Sequence, residues 1–545
     1  MDETKQFLMK QKEHLDRGKR GILSIIFGRT GILILLIILQ CGFIFLGFKF
    51  LSEYIYAVFG GYLLLGFVLA VYVINKRINP AFKIVWIVMI LIVPVFGALF
   101  YLYIHLQTER RAFNKKILRE MEESDHYSEQ KCEVMEKLRQ ESPAMANLAG
   151  YLRKTGSSSV HRDTSVRYFP SGESAFDTII SELQSAKEFI FLEYFIVNQG
   201  YMWESMLEVL KEKVKEGVEV RVMYDGMCDY FALPRHYAAS LREYGIQCYV
   251  FSPILPMLST VQNNRDHRKI LVIDGHTAFT GGINLADEYI NRKERFGYWK
   301  DVCMMMRGEA VRDFTLMFLQ MWNVVDGVNL KKRGLRQDAA SKNEEYERYI
   351  RVPMPETGED SDSLGYVIPY GDNPLDEEQI GEMVYLDIIN TAKKYVHIMT
   401  PYLVLDQETK VALIYAAKRG VDVRIIMPHV PDKKYAFIIA RSFYNELIEA
   451  GVEIYEFLPG FVHAKVFASD DEKAVVGSIN LDFRSLYLNF ECAALMYRNK
   501  EIAAIEEDFR ETLTHCMRVT EEVYKKQNLF VKMAAKLLHL FAPLM

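Results

Sequence analysis

Two short stretches of the sequence repeat one spacing of histidine, lysine and aspartate. Residues 267–274 read HRKILVID, and residues 463–470 read HAKVFASD. An imidazole beside an ammonium is a poor metal site, because the ammonium cannot coordinate a cation and repels it. The same pair suits an anionic substrate that needs a reactive nitrogen together with a fixed positive charge. A phosphate is the candidate substrate group, and neither a metal nor another cofactor is expected.

The residues that follow each histidine are mostly apolar or small, which predicts a buried β-strand in both copies. Side chains two residues apart on a strand point to the same face. Each histidine should therefore face the same way as its lysine: His267 with Lys269, and His463 with Lys465. The aspartates fall at the far end of each strand. We expect Asp274 and Asp470 to hold the local fold and to take no part in proton transfer.

Further polar residues repeat in register behind both motifs. Asn284 and Asn480 each lie 17 residues after their histidine, within GGIN and GSIN. An asparagine amide can donate a hydrogen bond to a phosphate oxygen. Aligning DVCMMM with ECAALM pairs Asp301 with Glu491, one carboxylate in each half. Such a carboxylate can accept a hydrogen bond from the non-reacting ring nitrogen of a histidine and fix its tautomer.

The segments around the motifs also occur twice, in the same order. SAKEFIFLEYFI, LKEKVKEGVEVRVMYDG and LREYGIQCYVF precede the first motif, and TAKKYVHIMTPYL, LIYAAKRGVDVRIIMPHV and LIEAGVEIYEF precede the second. Short apolar strands alternate with amphipathic helical stretches, which is typical of a sheet covered by helices. The sequence therefore predicts an α/β protein with two duplicated domains, residues 165–331 and 364–527, joined by an exposed polar linker at 332–363.

Composition narrows the function and the compartment. The 545-residue chain has a formal net charge of −5 and shows no basic domain, which argues against a nucleic-acid partner. Its seven cysteines include no C-x-x-C pair, so neither a zinc site nor a disulfide framework is indicated. Scattered cysteines fit a reducing compartment, and we expect the catalytic part to lie on the cytoplasmic side. The oligomeric state is left open.

The N-terminal region, residues 1–105, has a different composition. Apolar segments at 31–48, 54–74 and 84–104 each approach or exceed the ~20 residues that cross a bilayer. They predict N-terminal transmembrane helices and a multi-pass protein of the cell membrane, followed by a helical linker at 106–164. Basic clusters on both sides of the third segment leave two topologies open. The third segment is either re-entrant, being broken by Pro94 and Gly97, or an ordinary third span.

The paired stretches HRKILVIDGHTAFTGGIN and HAKVFASDDEKAVVGSINLDFRS resemble the signatures of the phospholipase D superfamily. With WIVMILIVPVFGALFYLYI before the catalytic part and GYWKDVCMMMRGEAV between the motifs, the layout is similar to bacterial-type cardiolipin synthases. This resemblance implies one active site between the two halves. It also implies transfer of a phosphatidyl group from one phosphatidylglycerol to another, giving cardiolipin and glycerol, without a metal.

The same resemblance implies how the two histidines divide the catalytic steps. One histidine attacks phosphorus and forms a phosphohistidine, and the other protonates the departing glycerol oxygen and then activates the incoming hydroxyl. His267 of the first motif is the expected nucleophile. Arg265 and Arg268 beside it predict a more cationic surrounding, which favours an unprotonated imidazole. The lysines and asparagines of both halves are expected to hold the non-bridging oxygens.

Other functions stay open at this level. With water as acceptor the same site is a phospholipase D, and with another alcohol it is a different phosphatidyltransferase. A nucleic-acid donor would make it a nuclease, which the membrane segments and the charge disfavour. A non-catalytic lipid-binding scaffold would be indicated by a damaged motif, and both copies are intact.

The C-terminal residues 528–545 make a separate prediction. In NLFVKMAAKLLHLFAPLM the polar residues Lys532, Lys536 and His539 would share one face of a helix, and the remaining residues are apolar. This pattern is typical of an amphipathic helix in a lipid interface, with its lysines near anionic headgroups. The alternative is an ordinary amphipathic helix docked on the catalytic domain.

Overall fold

The computed structural model describes residue 42 and residues 55–105, 108–253, 264–332, 339–355, 364–520 and 529–544. The chain forms two compact units that divide after Ala112. Apart from residue 42, the first predicted apolar segment, 31–48, lies outside the described residues.

In the described residues 55–105, the N-terminal unit forms three apolar helices: α1 (Ile55–Ile74), α2 (Pro80–Ile92) and α3 (Pro94–His105). Their packed centre includes Val73, Trp86, Ile90 and Tyr101. None of the described helices, including those at the predicted spans 54–74 and 84–104, has both the length and the apolar character required to cross a membrane.

The third predicted segment, 84–104, is not one continuous helix. It is interrupted between α2 and α3, where Val93 donates its N–H to the Met89 carbonyl and Pro94 begins the next helix. Proline has no N–H to continue the hydrogen-bond ladder of a helix. A Cβ on Gly97 would lie 2.3 Å from the Met89 oxygen, so this glycine permits the chain to fold back closely on itself.

The second unit carries two sheets, each built from one half of the repeat. The strands of the first sheet are β1 (Thr164–Phe169), β2 (Phe189–Tyr194), β3 (Glu219–Asp225), β4 (Gln247–Phe251), β5 (Lys269–Ile273), β6 (Thr277–Gly281) and β8 (Cys303–Gly308). Those of the second are β9 (Tyr366–Asp372), β10 (Tyr395–Met399), β11 (Asp422–Pro428), β12 (Glu453–Phe457), β14 (Val466–Ser469), β15 (Lys473–Gly477), β16 (Glu491–Tyr497) and β17 (Cys516–Arg518). Two short strands, β7 (Tyr298–Lys300) and β13 (Gly460–Val462), pair with each other across the halves.

The strand orders show that the two halves have the same topology. The first sheet runs β1-β8-β6-β5-β2-β3-β4, and the second runs β9-β16-β15-β14-β10-β11-β12 with β17 added at its edge. In each half three parallel strands adjoin an antiparallel set, and the motif strand, β5 or β14, lies where they meet. The duplication predicted from the sequence is confirmed, together with its α/β class.

In the described part of the chain, helices cover the sheets of the second unit or precede them. They are α4 (Thr108–Ser124), α5 (Cys132–Glu141), α6 (Pro143–Gly156), α7 (Gly172–Ser185), α8 (Tyr201–Lys215), α9 (Met227–Phe231), α10 (Tyr237–Glu243), α11 (Val311–Lys332), α12 (Ala339–Ile350), α13 (Ile380–Thr391), α14 (Gln407–Lys418), α15 (Lys434–Glu449), α16 (Phe483–Tyr487), α17 (Glu501–Thr514) and α18 (Leu529–Phe541). Helices α4 to α6 occupy the predicted helical linker.

One apolar core joins the two halves. Helix α11 contributes Phe314 and Phe318 to it, and the Phe318 ring stacks on Phe191 of β2 at 4.7 Å between centroids. The same cluster includes Val272 of β5 and Val476 of β15. Burying both sheets in one core holds the two motif strands in a defined relative position.

The segment between the halves is not the uniformly exposed linker that its charge predicted. Residues 339–350 form helix α12, which buries Tyr346 and Tyr349 in the common core. Glu345 of this helix pairs with Arg221 of β3 at 2.5 Å. Tyrosines three residues apart give the helix an apolar side that the high charge of the segment conceals. The adjoining residues 333–338 and 356–363 lie outside the described part of the chain.

Candidate active site

The two motif histidines lie just before their strands, and not on them as expected. Lys269 is the first residue of β5, and β14 begins at Val466, one residue after Lys465. Each histidine is held by a backbone bond from the other half. The His267 N–H donates to the Phe490 carbonyl at 2.9 Å, and the His463 N–H donates to the Lys300 carbonyl at 2.7 Å. The residue before β16 and the last residue of β7 therefore position the two histidines.

Each imidazole pairs with the carboxylate of the opposite half. Nδ1 of His267 lies 2.8 Å from Oε2 of Glu491, and Nδ1 of His463 lies 2.6 Å from Oδ2 of Asp301. Both carboxylate side chains are 0% exposed. A carboxylate accepts the Nδ1 hydrogen and leaves the Nε2 lone pair for chemistry. The crossed pairing makes the two halves one site, since each histidine finds its carboxylate partner only in the other half.

Burial and charge keep these imidazoles unprotonated. Burial, with a smaller contribution from nearby Lys269 and against the opposing effect of Glu491, lowers the pKa of His267 to about 4. Burial lowers the pKa of His463 to about 3, where Lys465 adds to the effect and Asp301 opposes it. Burial alone would raise the pKa of Asp301 and of Glu491, but their paired histidines and the lysines hold both below the usual value.

The two motif lysines are buried next to the histidine backbones. Lys269 Nζ donates to the His267 carbonyl at 2.5 Å, and Lys465 Nζ donates to the His463 carbonyl. Lys465 Nζ also lies 2.9 Å from Nδ1 of His463, which puts its charge beside the Asp301 pair. Burial lowers the lysine pKa values to about 8 for Lys269 and about 7 for Lys465. Each lysine also lowers the pKa of the other half's histidine, so both charges act on one region.

The two asparagines occupy equivalent places, each bonded to a hydroxyl five residues further on. Asn284 Nδ2 donates to the Tyr289 hydroxyl at 2.7 Å, and Asn480 Nδ2 donates to Ser485 Oγ at 3.1 Å. Asn284 Oδ1 also accepts the Ile196 N–H at 3.0 Å. Because an amide NH2 carries two hydrogens, each of these bonds leaves one donor for another acceptor.

The motif aspartates lie one residue beyond their strands, away from the histidines. Asp274 accepts the backbone N–H groups of Lys187, Glu188 and Phe189 at 2.8, 2.7 and 2.9 Å. Asp470 accepts those of residues 393, 394 and 395 at 2.7, 2.8 and 3.0 Å. Each carboxylate thus ties the end of the motif strand to the start of its neighbour, β2 or β10.

The arginines beside His267 do not create the cationic surrounding that the sequence suggested. Arg265 pairs with buried Asp225 at 3.2 Å, and Arg268 pairs with buried Glu193 at 2.6 Å. Each arginine therefore faces a buried carboxyl group, and the pKa of His267 is lowered first by burial.

Two residues that support the Glu491 carboxylate are not indicated by the repeated motif spacing. Ser478 Oγ donates to Glu491 Oε2 at 2.5 Å, and Asn489 Nδ2 donates to Oε1 at 3.2 Å. The position equivalent to Ser478 is Gly282, where a Cβ would lie 1.9 Å from Oδ1 of Asp301. The only trace of Ser478 in the sequence is the single difference between GGIN and GSIN. The half that has serine here has glutamate at position 491, and the half that has glycine has aspartate at position 301.

Aromatic rings enclose both histidines. The Phe195 ring meets His267 edge-on at 4.9 Å between centroids. Tyr289 and Trp299 approach His463 at 5.4 and 5.3 Å. These rings contribute to the burial that lowers the imidazole pKa values.

Comparison with known proteins agrees with this arrangement. A family model described as "Cardiolipin synthase, PLD-like domain" matches residues 179–322 and 385–513. A Streptococcus mutans protein without a functional name is 48% identical over 87% of this chain and 99% of its own. A cardiolipin synthase of Geobacillus sp. is 34% identical over 86% of this chain and 89% of its own. A cardiolipin synthase of Halalkalibacterium halodurans is 31% identical over 95% of this chain and 99% of its own.

Both matched ranges contain one complete histidine–lysine motif with its asparagine and carboxylate, and the relatives extend the likeness over most of the chain. The crossed histidine–carboxylate pairs require both halves together. The chain belongs to the cardiolipin synthase family of the phospholipase D superfamily, and it is a phosphatidyltransferase that acts on phospholipids.

Proposed function

We propose that the protein is a cardiolipin synthase, which transfers a phosphatidyl group from one phosphatidylglycerol to a hydroxyl of another and releases glycerol. The crossed pairing of His267 with Glu491 and of His463 with Asp301 carries this proposal. It supplies two imidazoles, each with a fixed tautomer, and a double displacement at phosphorus needs two.

In the first step Nε2 of His267 attacks phosphorus while the bond to the leaving glycerol oxygen breaks. Glu491 accepts the Nδ1 hydrogen and stabilises the positive charge that develops on this ring. His463 gives an Nε2 proton to the departing oxygen, so that glycerol leaves as a neutral alcohol. The phosphatidyl group remains on His267 as a phosphohistidine.

In the second step His463, now neutral, takes the proton of the incoming hydroxyl as that oxygen attacks the phosphohistidine. The bond from phosphorus to His267 Nε2 breaks, and cardiolipin forms. The low pKa of His463 in the free protein comes first from burial and then from Lys465. An anionic phosphodiester next to Lys465 offsets that positive charge, which raises the imidazole pKa and permits protonation when substrate is bound.

The remaining motif residues have supporting roles in this proposal. The ammonium groups of Lys269 and Lys465 and the second amide hydrogens of Asn284 and Asn480 hold the non-bridging phosphate oxygens. Asp274 and Asp470 hold the local fold through three backbone N–H groups each.

Relatives named cardiolipin synthase support phosphatidylglycerol as donor and acceptor. The test is the purified full-length protein in micelles that contain phosphatidylglycerol as the only phospholipid. Equal amounts of cardiolipin and free glycerol are expected. Phosphatidic acid as the main product would identify a hydrolase instead, and no turnover of lipid in protein with an intact fold would indicate a non-catalytic scaffold.

The assignment of the two histidines has its own test, which uses a nitrophenyl ester of phosphatidic acid. The nitrophenolate leaving group departs without receiving a proton. His463→Asn should therefore still release about one nitrophenol per enzyme and trap the phosphatidyl group on the protein, whereas His267→Asn should do neither. The opposite result would reverse the roles, and a burst from neither variant would contradict the covalent mechanism.

We further propose that residues 1–105 form a multi-pass membrane region, with the catalytic unit on the cytoplasmic side. The break at Pro94 and the close approach of Gly97 to Met89 support a re-entrant third segment. Asn79→Cys and Ala112→Cys should then both react with a thiol reagent added from the cytoplasmic side. Reaction of only one of them would support an ordinary third span.

The C-terminal residues 528–545 are proposed to contact the lipid surface beside the catalytic domain. Helix α18 packs on α15, with the His539 ring 4.8 Å from Phe443, and buries Ala535. On its other side Met533 and Leu537 remain 60% and 63% exposed. An apolar face that points away from the protein suits an anionic bilayer, to which exposed Lys536 adds charge complementarity.

Removing residues 528–545 should lower activity on phosphatidylglycerol vesicles much more than on a short-chain, soluble phosphatidylglycerol. Met533→Ser combined with Leu537→Ser should have the same effect without removing the helix. Equal losses on both substrates would mean that the helix only stabilises the catalytic domain.

A further inference from the structure

A buried polar cluster crosses the two halves next to Asp301. Lys300, the preceding residue, donates from Nζ to both oxygens of Asp508 on α17, at 2.7 and 2.8 Å, and also to the Pro170 carbonyl. The Tyr168 hydroxyl of β1 donates to the same carboxylate at 2.6 Å. The side chains of Lys300 and Asp508 are 6% and 8% exposed. The cluster thus fixes two strands of the first half, β1 and β7, to helix α17 of the second.

The backbone of Lys300 connects this cluster to the second histidine. Its carbonyl accepts the N–H of His463 at 2.7 Å and that of Ala464 at 3.2 Å. Lys300 ends β7, which pairs in parallel with β13 just before His463. Asp301, the next residue along the chain, accepts the His463 Nδ1 hydrogen. Two of the contacts that orient His463 therefore depend on where residue 300 is held.

The equivalent position in the other half is built differently. Phe490 precedes Glu491, and its carbonyl accepts the His267 N–H at 2.9 Å. Its side chain is apolar and meets the Phe251 ring edge-on, 5.7 Å away. The Phe490 side chain thus packs against an aromatic ring and lies 6.0 Å from the Arg268 guanidinium, and the Phe490 N–H donates to the Arg265 carbonyl at 2.8 Å. The side chain of the residue before Asp301 is held instead by a buried ion pair.

We propose that Lys300 and Asp508 are positioning residues for the acid–base step of the transfer, acting on His463 through β7 and Asp301 and not on His267. The proposal rests on the function proposed above. The ion pair keeps Nε2 of His463 aimed first at the glycerol oxygen that receives its proton and then at the hydroxyl that returns one. A buried ion pair has a defined geometry, which a packed phenyl ring does not impose on the backbone.

Variants of this ion pair should lose activity to an extent that depends on the leaving group of the substrate. A misplacement of about 1 Å costs roughly 100-fold in a step that needs alignment. Transfer from phosphatidylglycerol, whose glycerol must receive a proton, should fall by about that factor in Asp508→Asn. Release of nitrophenol from the nitrophenyl ester needs only His267, so the burst rate should stay within about 3-fold of the wild-type rate. Covalent phosphate should accumulate, since His463 must also activate the acceptor.

Three variants of the full chain make the test independent of folding. Asp508→Asn leaves Lys300 buried without a carboxylate and is expected to lower the unfolding temperature. Lys300→Met combined with Asp508→Leu removes both charges, and such replacements often preserve folding. Glu506→Gln is the matched control on the same helix, because this buried carboxylate bonds to His397 and Arg510. The control should change the two rates by equal factors.

An equal loss of transfer rate and burst rate in the charge-free double variant would overturn the proposal and leave the cluster a purely structural role. Wild-type activity of that variant on phosphatidylglycerol would also overturn it. Absence of trapped phosphohistidine in the wild-type enzyme would instead refute the covalent mechanism on which the proposal rests. A leaving-group-dependent loss in both Asp508→Asn and the double variant would support it.

Discussion

Replacing Glu491 by glutamine should disable His267 with little change in the size of the side chain. The carboxylate accepts hydrogen bonds from His267, Ser478 and Asn489. The glutamine side chain has one acceptor oxygen and one NH2 group, so its amide can take two orientations. One orientation places the NH2 against the Asn489 donor, and the other places the NH2 against Nδ1 of His267. In the second orientation the imidazole changes tautomer and loses its Nε2 lone pair.

The structure gives a size for this loss. A charge-assisted hydrogen bond contributes about 1.5–3 kcal/mol, and a buried donor left facing a donor costs about 1–3 kcal/mol. Taking about 3 kcal/mol for the two together, the formation of phosphohistidine should slow by at least about 100-fold. The wrong tautomer can extend such a loss to about 10 000-fold.

The assay is rapid-mixing measurement of nitrophenol release from the nitrophenyl ester. Asp301→Asn is the matched control, since it alters the carboxylate of His463 and should leave the burst rate near the wild-type rate. Unfolding temperatures of both variants show whether the fold is retained. A Glu491→Gln burst rate within about 3-fold of wild type, in folded protein, would refute the role assigned to this carboxylate.

Three further predictions concern the lysines, one motif aspartate and one glycine. Lys269 and Lys465, with pKa values of about 8 and about 7, must be protonated to hold phosphate, so kcat/KM should fall as pH rises through 7 to 8; a flat profile to pH 9 would contradict this. Asp274→Ala leaves three backbone N–H groups without their acceptor and should cost at least about 2 kcal/mol in urea unfolding, with little change in kcat of the folded enzyme. Gly282→Ala places a Cβ 1.9 Å from the Asp301 oxygen and should lower phosphatidylglycerol transfer at least about 10-fold while sparing the nitrophenol burst; equal loss in both would point to unfolding.

The duplication, the α/β class and the family could be predicted from the sequence, because each depends on a local sequence pattern that occurs twice. Strand and helix periodicity repeat in register, and the shared spacing identified ten candidate site residues without knowledge of any contact. The break at Pro94 was also readable, since proline acts on its own turn of helix. The buried helix α12 was missed, because two tyrosines in a strongly charged segment show their apolar side only when a core is present to receive them.

Only the tertiary structure decided which carboxylate serves which histidine. Sequence spacing groups Asp301 with His267 and Glu491 with His463, yet the structure pairs His267 with Glu491 and His463 with Asp301. The pairing depends on how two sheets pack around α11, and this follows from contacts between residues far apart in the chain, which no local period encodes. The same packing buries the imidazoles and lowers their pKa values, so the chemical state of the site is a property of the assembled halves and not of either motif alone.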